Sequence, residues 1–291
     1  MGLDLNKLEH LIAVAEEGSF TRAASRLHLT QQALSTSIRT LEREVGVQLL
    51  DRGSTGLTVL PAGRALIEDA RVLRGMAHLA VRRARHIGRE ESEALRIGHT
   101  PAVTADEISV LLARARRAHP DLAPQVNQRY PDELAEQLLA GDLDVGLCRA
   151  MQPPRGLTRT LLTRHRLRVA VATDHHLAHH GTVSLTDLSD ENIMVWGRPG
   201  RSDYTDLLIR YCRDAGFEPR VERNPVQGTP PVTAVLDTGL VAFVTSPPGP
   251  AADGAVRVLE LEPPLFVPLH ALWHGHSSSD AREAFVSTFT E

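Results

Sequence analysis

The sequence contains little cysteine and no long apolar run. Its two cysteines, Cys148 and Cys212, lie far apart and form no C-x-x-C pair, which excludes a disulfide framework or a zinc finger. We interpret them as small buried apolar residues, with a redox-active pair as the alternative. No apolar run reaches the roughly 18 residues of a membrane span, and the acid-containing start is not typical of a signal peptide. We therefore expect a cytoplasmic protein without a membrane partner.

The motifs of the common enzyme classes are also missing. The sequence has no P-loop, no G-x-S-x-G, no H-E-x-x-H and no glycine-rich dinucleotide fingerprint. Its acids and histidines cannot be grouped into a catalytic set from their spacing. The sequence therefore predicts a protein that is not an enzyme and that needs no cofactor.

Charge is distributed unevenly along the chain. The net charge is −4, but residues 1–90 hold 13 Lys and Arg against 10 Asp and Glu, whereas residues 91–291 hold the other 19 and 26. Lys7 is the single lysine, so almost all of the basic charge is arginine, whose planar guanidinium suits phosphates and guanine edges. This distribution predicts a nucleic-acid-binding head on a separate acidic body.

The head begins with three predicted helices. The second and third are joined by a tight turn at His28 and Leu29, which is typical of a helix-turn-helix. Gly18 and Gly46 are predicted to end the first and third helices. The helices are predicted at 5–17, 22–27 and 31–44, with N-caps at Asp4, Thr21 and Thr30.

The third helix has one apolar and one polar face. Leu34, Ile38 and Leu41 recur at helical spacing and predict a buried stripe. The polar face has almost no acid; it carries Gln31, Gln32, Ser35, Thr36, Arg39 and Arg43. Gln side chains pair with adenine, and Arg side chains pair with guanine or phosphate. The hydroxyls of Ser and Thr bind bases or phosphate. An ordinary solvated face is the alternative, but such a face normally mixes Glu with Arg.

After the third helix, residues 47–60 read as two strands around a Gly/Ser/Thr loop, which predicts a hairpin wing. Pro61 then starts a long helix that continues to Arg89. Small and apolar residues recur along it in alternating steps of four and three, which predicts pairing with another helix. This seam comprises Leu66, Ala70, Leu73, Ala77, Ala80, Ala84 and Ile87.

Beyond a boundary at 88–93, strands and helices alternate and predict an α/β body. The strands are predicted at 95–98, 123–129, 143–147, 166–172, 192–196, 220–224, 240–244, 256–261 and 268–273. The helices are predicted at 104–118, 131–140, 202–215, 229–237 and 279–289.

Several of these segments together resemble LysR-type transcriptional regulators. In the head the likeness is carried by Ser19-Phe20-Thr21-Arg22-Ala23-Ala24, Leu27, Thr30-Gln31-Gln32-Ala33-Leu34-Ser35, Ile38, Leu41-Glu42, Gly46, Leu49-Leu50, Arg52 and Pro61-Ala62-Gly63. In the body it continues through 95–98, 138–146 and 239–242. Two positions depart from the family pattern: Ser54, Thr55 and Gly56 replace an arginine at the wing tip, and Leu60 replaces a capping threonine.

The resemblance implies an N-terminal winged helix-turn-helix, mostly α, and a long linker helix, followed by a two-lobed α/β effector domain like a periplasmic binding protein. The implied divisions are 1–60, 61–90 and 91–291, with lobe one at 92–161 and 266–291 and lobe two at 162–265. The implied partners are double-stranded DNA, a second copy through the linker helix in a homodimer or homotetramer, and a small-molecule effector; RNA polymerase is a further candidate.

Two sets of site residues follow. For DNA we predict Gln31, Gln32, Ser35, Thr36 and Arg39, with Thr30 and Arg52 toward phosphate. For the effector we predict residues near helix starts, where free N–H groups favour an anion; ordinary capping and turn roles are the alternative. The effector residues are Thr100, Thr104, Trp196, Arg198 and Thr229.

The histidines of the stretch 175–180 form an H-H-x-x-H-H pattern. Histidines four residues apart on a helix can ligate a metal ion. Asp174 and Gly181 indicate an exposed loop instead, which we favour, so no metal site is predicted. An architectural DNA-binding protein without an effector is the remaining alternative function, but a body of about 200 residues argues against it.

Overall fold

A computed structural model describes residues 2–53, 56–89, 94–226 and 228–290, without the side chain of Arg52. Along the chain it has a helical head with a β-hairpin, one long helix, and a body built on two β-sheets. Within these residues no helix has the length and apolar character needed to cross a membrane. The predicted wing-tip residues Ser54 and Thr55, most of the boundary segment at 90–93, and the predicted phosphate contact of the Arg52 side chain lie outside the described part.

The head packs three helices around one apolar core. Its fully buried side chains include Leu11 of the first helix and Leu34 and Ile38 of the third, the last two from the stripe predicted to be buried. Gly18 and Gly46 end the first and third helices with positive φ of 56° and 82°, where a residue without Cβ carries no steric cost. The elements are α1 (Leu5–Glu17), α2 (Phe20–Arg26), α3 (Gln31–Val45), β1 (Leu50–Gly53) and β2 (Gly56–Val59).

The caps of α1 and α3 are those predicted, whereas the cap of α2 differs. Asp4 accepts a hydrogen bond from the Asn6 N–H at 2.9 Å, and Thr30 accepts one from the Ala33 N–H at 3.1 Å. The prediction of Thr21 as the cap of α2 is wrong. Ser19 caps that helix by accepting from the Arg22 N–H at 3.4 Å, because the chain turns directly after Gly18 and α2 already begins at Phe20.

The long helix α4 (Pro61–Arg89) occurs as predicted and has two different surroundings. Its first turns complete the core of the head through Ile67 and Ala70. Farther along, Gly75 lies so close to the body that a Cβ there would come within 1.8 Å of the Leu139 carbonyl oxygen. Other large apolar side chains of α4 remain exposed to solvent; they are Leu73, Met76, Val81 and Ile87.

Lobe one is a five-stranded sheet in the order β4-β3-β5-β14-β6. Its first three strands are parallel, β14 runs antiparallel to them, and β6 pairs antiparallel with β14 and so runs in the direction of the first three. The strands are β3 (Ala94–His99), β4 (Ala123–Gln128), β5 (Val145–Cys148), β6 (Leu157–Arg166) and β14 (Phe266–His274). The helices are α5 (Ala105–Ala118), α6 (Pro131–Ala140) and α8 (Asp280–Thr290).

Lobe two is a seven-stranded sheet in the order β10-β9-β11-β7-β13-β12, with β8 paired to β13. The strands are β7 (Arg168–Ala172), β8 (Thr182–Val183), β9 (Asn192–Val195), β10 (Arg220–Arg223), β11 (Val241–Val244), β12 (Gly249–Ala251) and β13 (Val256–Leu261). Helix α7 (Asp203–Asp214) packs on this sheet through Leu208 and Cys212. The chain crosses between the lobes twice, at Leu167 and just before β14.

Strand β6 was not predicted, although it is ten residues long. Its register against β14 shifts at one point: Leu269 pairs with Thr163 and His270 with Leu161, so that Leu162 is an extra residue. Such a bulge interrupts the two-residue alternation by which a strand is detected in a sequence. Arginines and threonines on its exposed side weaken the apolar pattern further.

The predicted helix at 229–237 is wrong. This segment forms a series of turns, with the Ala234 N–H donating to the Pro230 carbonyl at 3.1 Å and the Leu236 N–H to Thr233 at 3.3 Å. Pro230 and Pro231 lack the N–H donors of a helix, and the β-branched residues that follow have low helix propensity. Without this helix, Thr229 does not stand at a helix N-terminus.

Candidate functional site

The exposed side of α3 carries the residues predicted to contact DNA. Its members are Thr30, Gln31, Gln32, Ser35, Thr36, Arg39 and Arg43, which we call the α3 face. All are exposed except Ser35, which is half-buried, while Leu34, Ile38 and Leu41 fill the core on the opposite side. The face is therefore fixed by burial of the apolar stripe and is open to a large partner. The prediction for the Arg52 side chain lies outside the described part.

Both acids near the end of α3 are paired. The Glu42 carboxylate points toward the wing, where it accepts hydrogen bonds from the N–H groups of Leu49 at 2.9 Å and Leu50 at 3.2 Å. Glu44 forms a 2.5 Å ion pair with Lys7 of α1. Because neither carboxylate is left unpaired beside Arg39, the face does not repel phosphate.

A shallow groove runs along the α3 face and includes Lys7 together with Gln32, Thr36 and Thr40. The Thr36 hydroxyl donates to the Gln32 carbonyl at 2.9 Å, so its oxygen remains available as an acceptor. Sequence reasoning did not include Lys7 in the candidate set. The sequence could have drawn attention to Lys7 because it is the one lysine of the chain. Only the packing of α1 against α3, however, brings it to this groove.

A cavity of about 470 Å³ lies between the two lobes. Lobe one contributes Thr100 after β3 and Tyr130 at the start of α6, and lobe two contributes Trp196 after β9 and Tyr204 in α7. The N-termini of α6 and α7 border the same cavity, one from each lobe. Its charged lining residues are Asp132, Arg149, Arg201, Asp203 and Arg223.

Thr100 stands out in this cavity because its hydroxyl has no hydrogen-bond partner in the described structure. The residue is only 5% exposed, and a buried hydroxyl without a partner costs about 1–3 kcal/mol. Its own N–H is satisfied by the Leu147 carbonyl at 3.0 Å. A ligand in the cleft that bonds the hydroxyl would remove this cost.

The five predicted effector residues are not all brought together. Thr100 and Trp196 line the cavity. Thr104 lies beside a small adjoining cavity of about 30 Å³, and its hydroxyl caps α5 by accepting from the Glu107 N–H at 3.3 Å. Arg198 is exposed on a turn and does not line the cavity. Arg201, three residues later, lines it instead. Thr229 also lies outside the lining; its hydroxyl bonds the Val226 carbonyl at 3.3 Å.

Beneath the cleft lies a polar cluster that sequence reasoning missed. The Arg149 side chain is fully buried and forms an ion pair with Glu107. It also donates to the Ala102 carbonyl at 2.9 Å. The same carboxylate contacts His165 of β6 at 2.5 Å and accepts from the Thr245 hydroxyl of lobe two at 2.9 Å. We call Glu107, Arg149, His165 and Thr245 the hinge cluster. Only Arg149 gave a sequence signal, as an arginine directly after the apolar strand β5.

The hinge cluster holds Glu107 ionised. Burial raises the pKa of its carboxyl group, but several contributions outweigh burial and bring the pKa to about 2. They are the hydrogen bond from His165, the charge of Arg149, the backbone hydrogen bond from Thr104 and the charge of His165. Glu107 therefore stays negative at neutral pH and compensates the buried Arg149.

Neither cysteine has the surroundings of a reactive thiol. Cys148 is buried in lobe one and Cys212 in lobe two. Burial raises the pKa of both thiols to about 12, and the thiolate is the reactive form. The structure therefore favours the interpretation of both as small apolar core residues.

Two family models match this chain and together cover most of it. The model described as "Bacterial regulatory helix-turn-helix protein, lysR family" matches residues 5–64. The model described as "LysR substrate binding domain" matches residues 88–291. The first match contains the α3 face, and the second contains the cleft and the hinge cluster.

Individual relatives agree with these matches. The chain is 33% identical over 238 residues to the HTH-type transcriptional regulator XapR of Escherichia coli (strain K12), covering 81% of this chain and 80% of XapR. It is 32% identical over 219 residues to the HTH-type transcriptional regulator BenM of Acinetobacter baylyi, covering 75% and 72%. Full-length CbnR in complex with its target DNA has a similar fold, with a TM-score of 0.61, 23% identity and 99% of each chain covered.

Proposed function

Because this chain belongs to the LysR family of DNA-binding transcriptional regulators, we propose that its α3 face reads duplex DNA and that its cleft binds a small effector. The chain combines a winged helix-turn-helix head with a LysR-type effector domain. The observation that carries the proposal for the head is an exposed α3 face whose neighbouring acids are both paired. In the major groove a helix with such a face places amides, hydroxyls and guanidinium groups against bases and phosphates.

The proposed contacts divide into two kinds. Base edges would be read by the amides and hydroxyls of Gln31, Gln32, Ser35 and Thr36. Phosphate or guanine would be bound by Arg39, Thr30, Arg52 and Lys7. Base contacts set the sequence preference, whereas phosphate contacts position the protein. Gln32→Ala should therefore change the order of preference among site variants, and Arg39→Ala should weaken binding to all of them.

Fluorescence anisotropy with a panel of duplex variants at several salt concentrations tests this assignment. Arg39→Ala should reduce the slope of log affinity against log salt by about one. Arg116→Ala, an exposed arginine of α5 in lobe one, is the matched control and should leave both affinity and slope unchanged. Unaltered binding by both Gln32→Ala and Arg39→Ala would reject the α3 face as the reading surface.

We further propose that α4 pairs with α4 of a second copy. Leu73 and Ile87 are 38% and 64% exposed although they belong to the predicted heptad seam, and a seam of this kind is buried when two helices pair. A dimer that assembles into a tetramer is our proposal for the full assembly. In light scattering, Ile87→Glu should shift the protein toward monomer. Val110→Glu, at a residue of α5 that is 68% exposed, should leave the dimer intact.

For the cleft we propose a small effector with an apolar body and an anionic group. Trp196 and Tyr204 provide flat apolar surface, and the Thr100 hydroxyl, the Arg201 guanidinium and the helix N-termini provide donors. At one concentration, the members of a panel of small carboxylates should raise the melting temperature in the order of their affinities. The absence of any shift across apolar carboxylates would argue for another ligand class.

The remaining proposals concern organisation. We propose the division into residues 1–60, 61–90 and 91–291, with lobe one extending to residue 166 because β6 pairs with β14 throughout. Lobe two then spans 167–265. We also propose that the protein acts in the cytoplasm, contacts RNA polymerase at its promoters and performs no catalytic turnover.

A further inference from the structure

Three metal-ligating side chains meet on lobe two, away from the cleft. His175 and His176 follow β7, and Glu191 directly precedes β9. The His175 Nε2 lies 3.3 Å from one carboxylate oxygen of Glu191, and the His176 Nε2 lies 3.2 Å from the other. The three ligand atoms all lie within 4.8 Å of one another. We call this group the lobe-two triad.

We propose that the lobe-two triad binds one divalent transition-metal ion of the Zn²⁺ class, with water completing the coordination. A tetrahedral ion with ligands at about 2.0–2.1 Å separates neighbouring ligand atoms by roughly 3.3–3.4 Å. Each nitrogen already lies at about this distance from one Glu191 oxygen, the His175 nitrogen from one oxygen and the His176 nitrogen from the other. Imidazole donors favour zinc, copper or nickel, whereas Mg²⁺ and Ca²⁺ favour all-oxygen sites.

Backbone hydrogen bonds fix two of the three ligand residues, His175 and Glu191. The His175 N–H donates to the Ala172 carbonyl at 3.0 Å, and the Glu191 N–H donates to Leu188 at 3.1 Å. Leu177 and Ala178, which follow the two histidines, are buried in the core of lobe two. The two imidazole rings stack with their centroids 4.6 Å apart. Ligands that are fixed in this way bind a metal ion more tightly than mobile ones.

Metal binding through Nε2 requires a change of tautomer at His175. In the structure the His175 Nδ1 accepts a hydrogen bond from the Leu177 N–H at 3.3 Å, so the neutral ring carries its proton on Nε2, facing Glu191. To ligate through Nε2, the proton moves to Nδ1 and this long hydrogen bond is lost. The ion replaces the two His–Glu191 contacts with ligand bonds, and a neutral ring releases no proton in the exchange.

Sheet topology separates the triad from the effector cleft. β11 is parallel to β9 and antiparallel to β7, so the end of β7 and the start of β9 lie at the same edge of the sheet. Trp196 and Gly197 of the cleft follow the opposite end of β9. A four-residue strand of about 13 Å lies between the two places. The proposal therefore stands independently of what the cleft binds.

Calorimetric titration of Zn²⁺ into the untagged, chelator-treated full chain tests the proposal, with the visible absorption of Co²⁺ as a second readout. We expect one ion per chain. Loss of an outer-shell partner alone weakens metal sites about 10- to 100-fold, so His176→Ala and Glu191→Gln should weaken binding at least about tenfold. The double variant H179A/H180A removes two exposed histidines of the same loop and is the matched control, with unchanged affinity expected.

Circular dichroism and the metal-free melting temperature check the fold of each variant. The His176 side chain is 67% exposed, so His176→Ala keeps the test available even where Glu191→Gln impairs folding. If the wild-type chain shows no saturable Zn²⁺ binding, the triad is only a hydrogen-bonded cluster and the proposal is overturned. Equal losses in His176→Ala and H179A/H180A would overturn it as well, because the ion would then belong to the loop histidines in general.

Discussion

The Glu107 carboxylate of lobe one accepts a hydrogen bond from the Thr245 hydroxyl of lobe two at 2.9 Å. The same carboxylate is the partner of Arg149, whose side chain is fully buried at the base of the cleft. The Glu107 carboxylate therefore contacts the cleft lining through Arg149, strand β6 through His165, and lobe two through Thr245. Any movement of one lobe against the other must therefore preserve or rearrange this contact.

We expect Glu107→Gln to destabilise the protein by about 3–5 kcal/mol, because it leaves the buried Arg149 charge without its carboxylate. Thr245→Val, the control, removes only the contact between the lobes and should cost about 1 kcal/mol. Urea unfolding followed by tryptophan fluorescence measures both. Trp273 lies in lobe one and Trp196 in lobe two. Equal stability of the two variants would show that Glu107 does not compensate Arg149.

The depressed pKa of Glu107 predicts how this stability depends on pH. A carboxyl whose pKa is about 2 in the folded state, against an ordinary 4.5, contributes its full stabilisation above pH 4.5 and loses it as the pH falls toward 2. The stability gap between wild type and Glu107→Gln should therefore narrow by about 2 kcal/mol between pH 7 and pH 3. Urea midpoints across this range give the gap, and a constant gap would contradict the pKa.

The position of the wing depends on Glu42. Leu49 and Leu50 are buried, so Glu42→Ala leaves two N–H groups without their acceptor, at a cost of about 1–3 kcal/mol. Because the wing would then shift against α3, we also expect weaker DNA binding. Glu44→Ala removes only the partly exposed ion pair with Lys7 and should cost less than about 1 kcal/mol. Melting temperature and anisotropy separate the two, and similar melting temperatures would disprove the role of Glu42.

Thr100 connects stability with ligand binding. Thr100→Val removes a buried hydroxyl that has no partner, so the ligand-free protein should be as stable as wild type or more stable by about 1 kcal/mol. The melting shift produced by an effector that bonds this hydroxyl should disappear. Thr100→Ser keeps the hydroxyl and should keep the shift. A Thr100→Val protein that still shows the full shift would place the ligand elsewhere.

Local sequence patterns predicted the head well because its elements are set by neighbouring residues. The spacing of Leu34, Ile38 and Leu41 determines which side of α3 is buried, and Thr30 and Gly46 set its ends through their own hydrogen bond and backbone conformation. The same reasoning failed where tertiary contacts override local patterns. β6 is paired despite a bulge at Leu162, and the stretch after Thr229 forms turns at two prolines where a helix was predicted.

The order of residues alone thus determined the α3 face, the long helix with its small-residue seam, and the alternation of strands and helices that makes an α/β body. Each depends on repeats and caps within a few positions, and such short-range rules can be read from a sequence. Folding decided which distant residues meet: Glu107 with Thr245, Glu42 with the wing, Lys7 with α3, and His176 with Glu191. These pairs lie as many as 138 positions apart, and only the pairing order of the sheets and the packing of helices bring them within hydrogen-bonding distance.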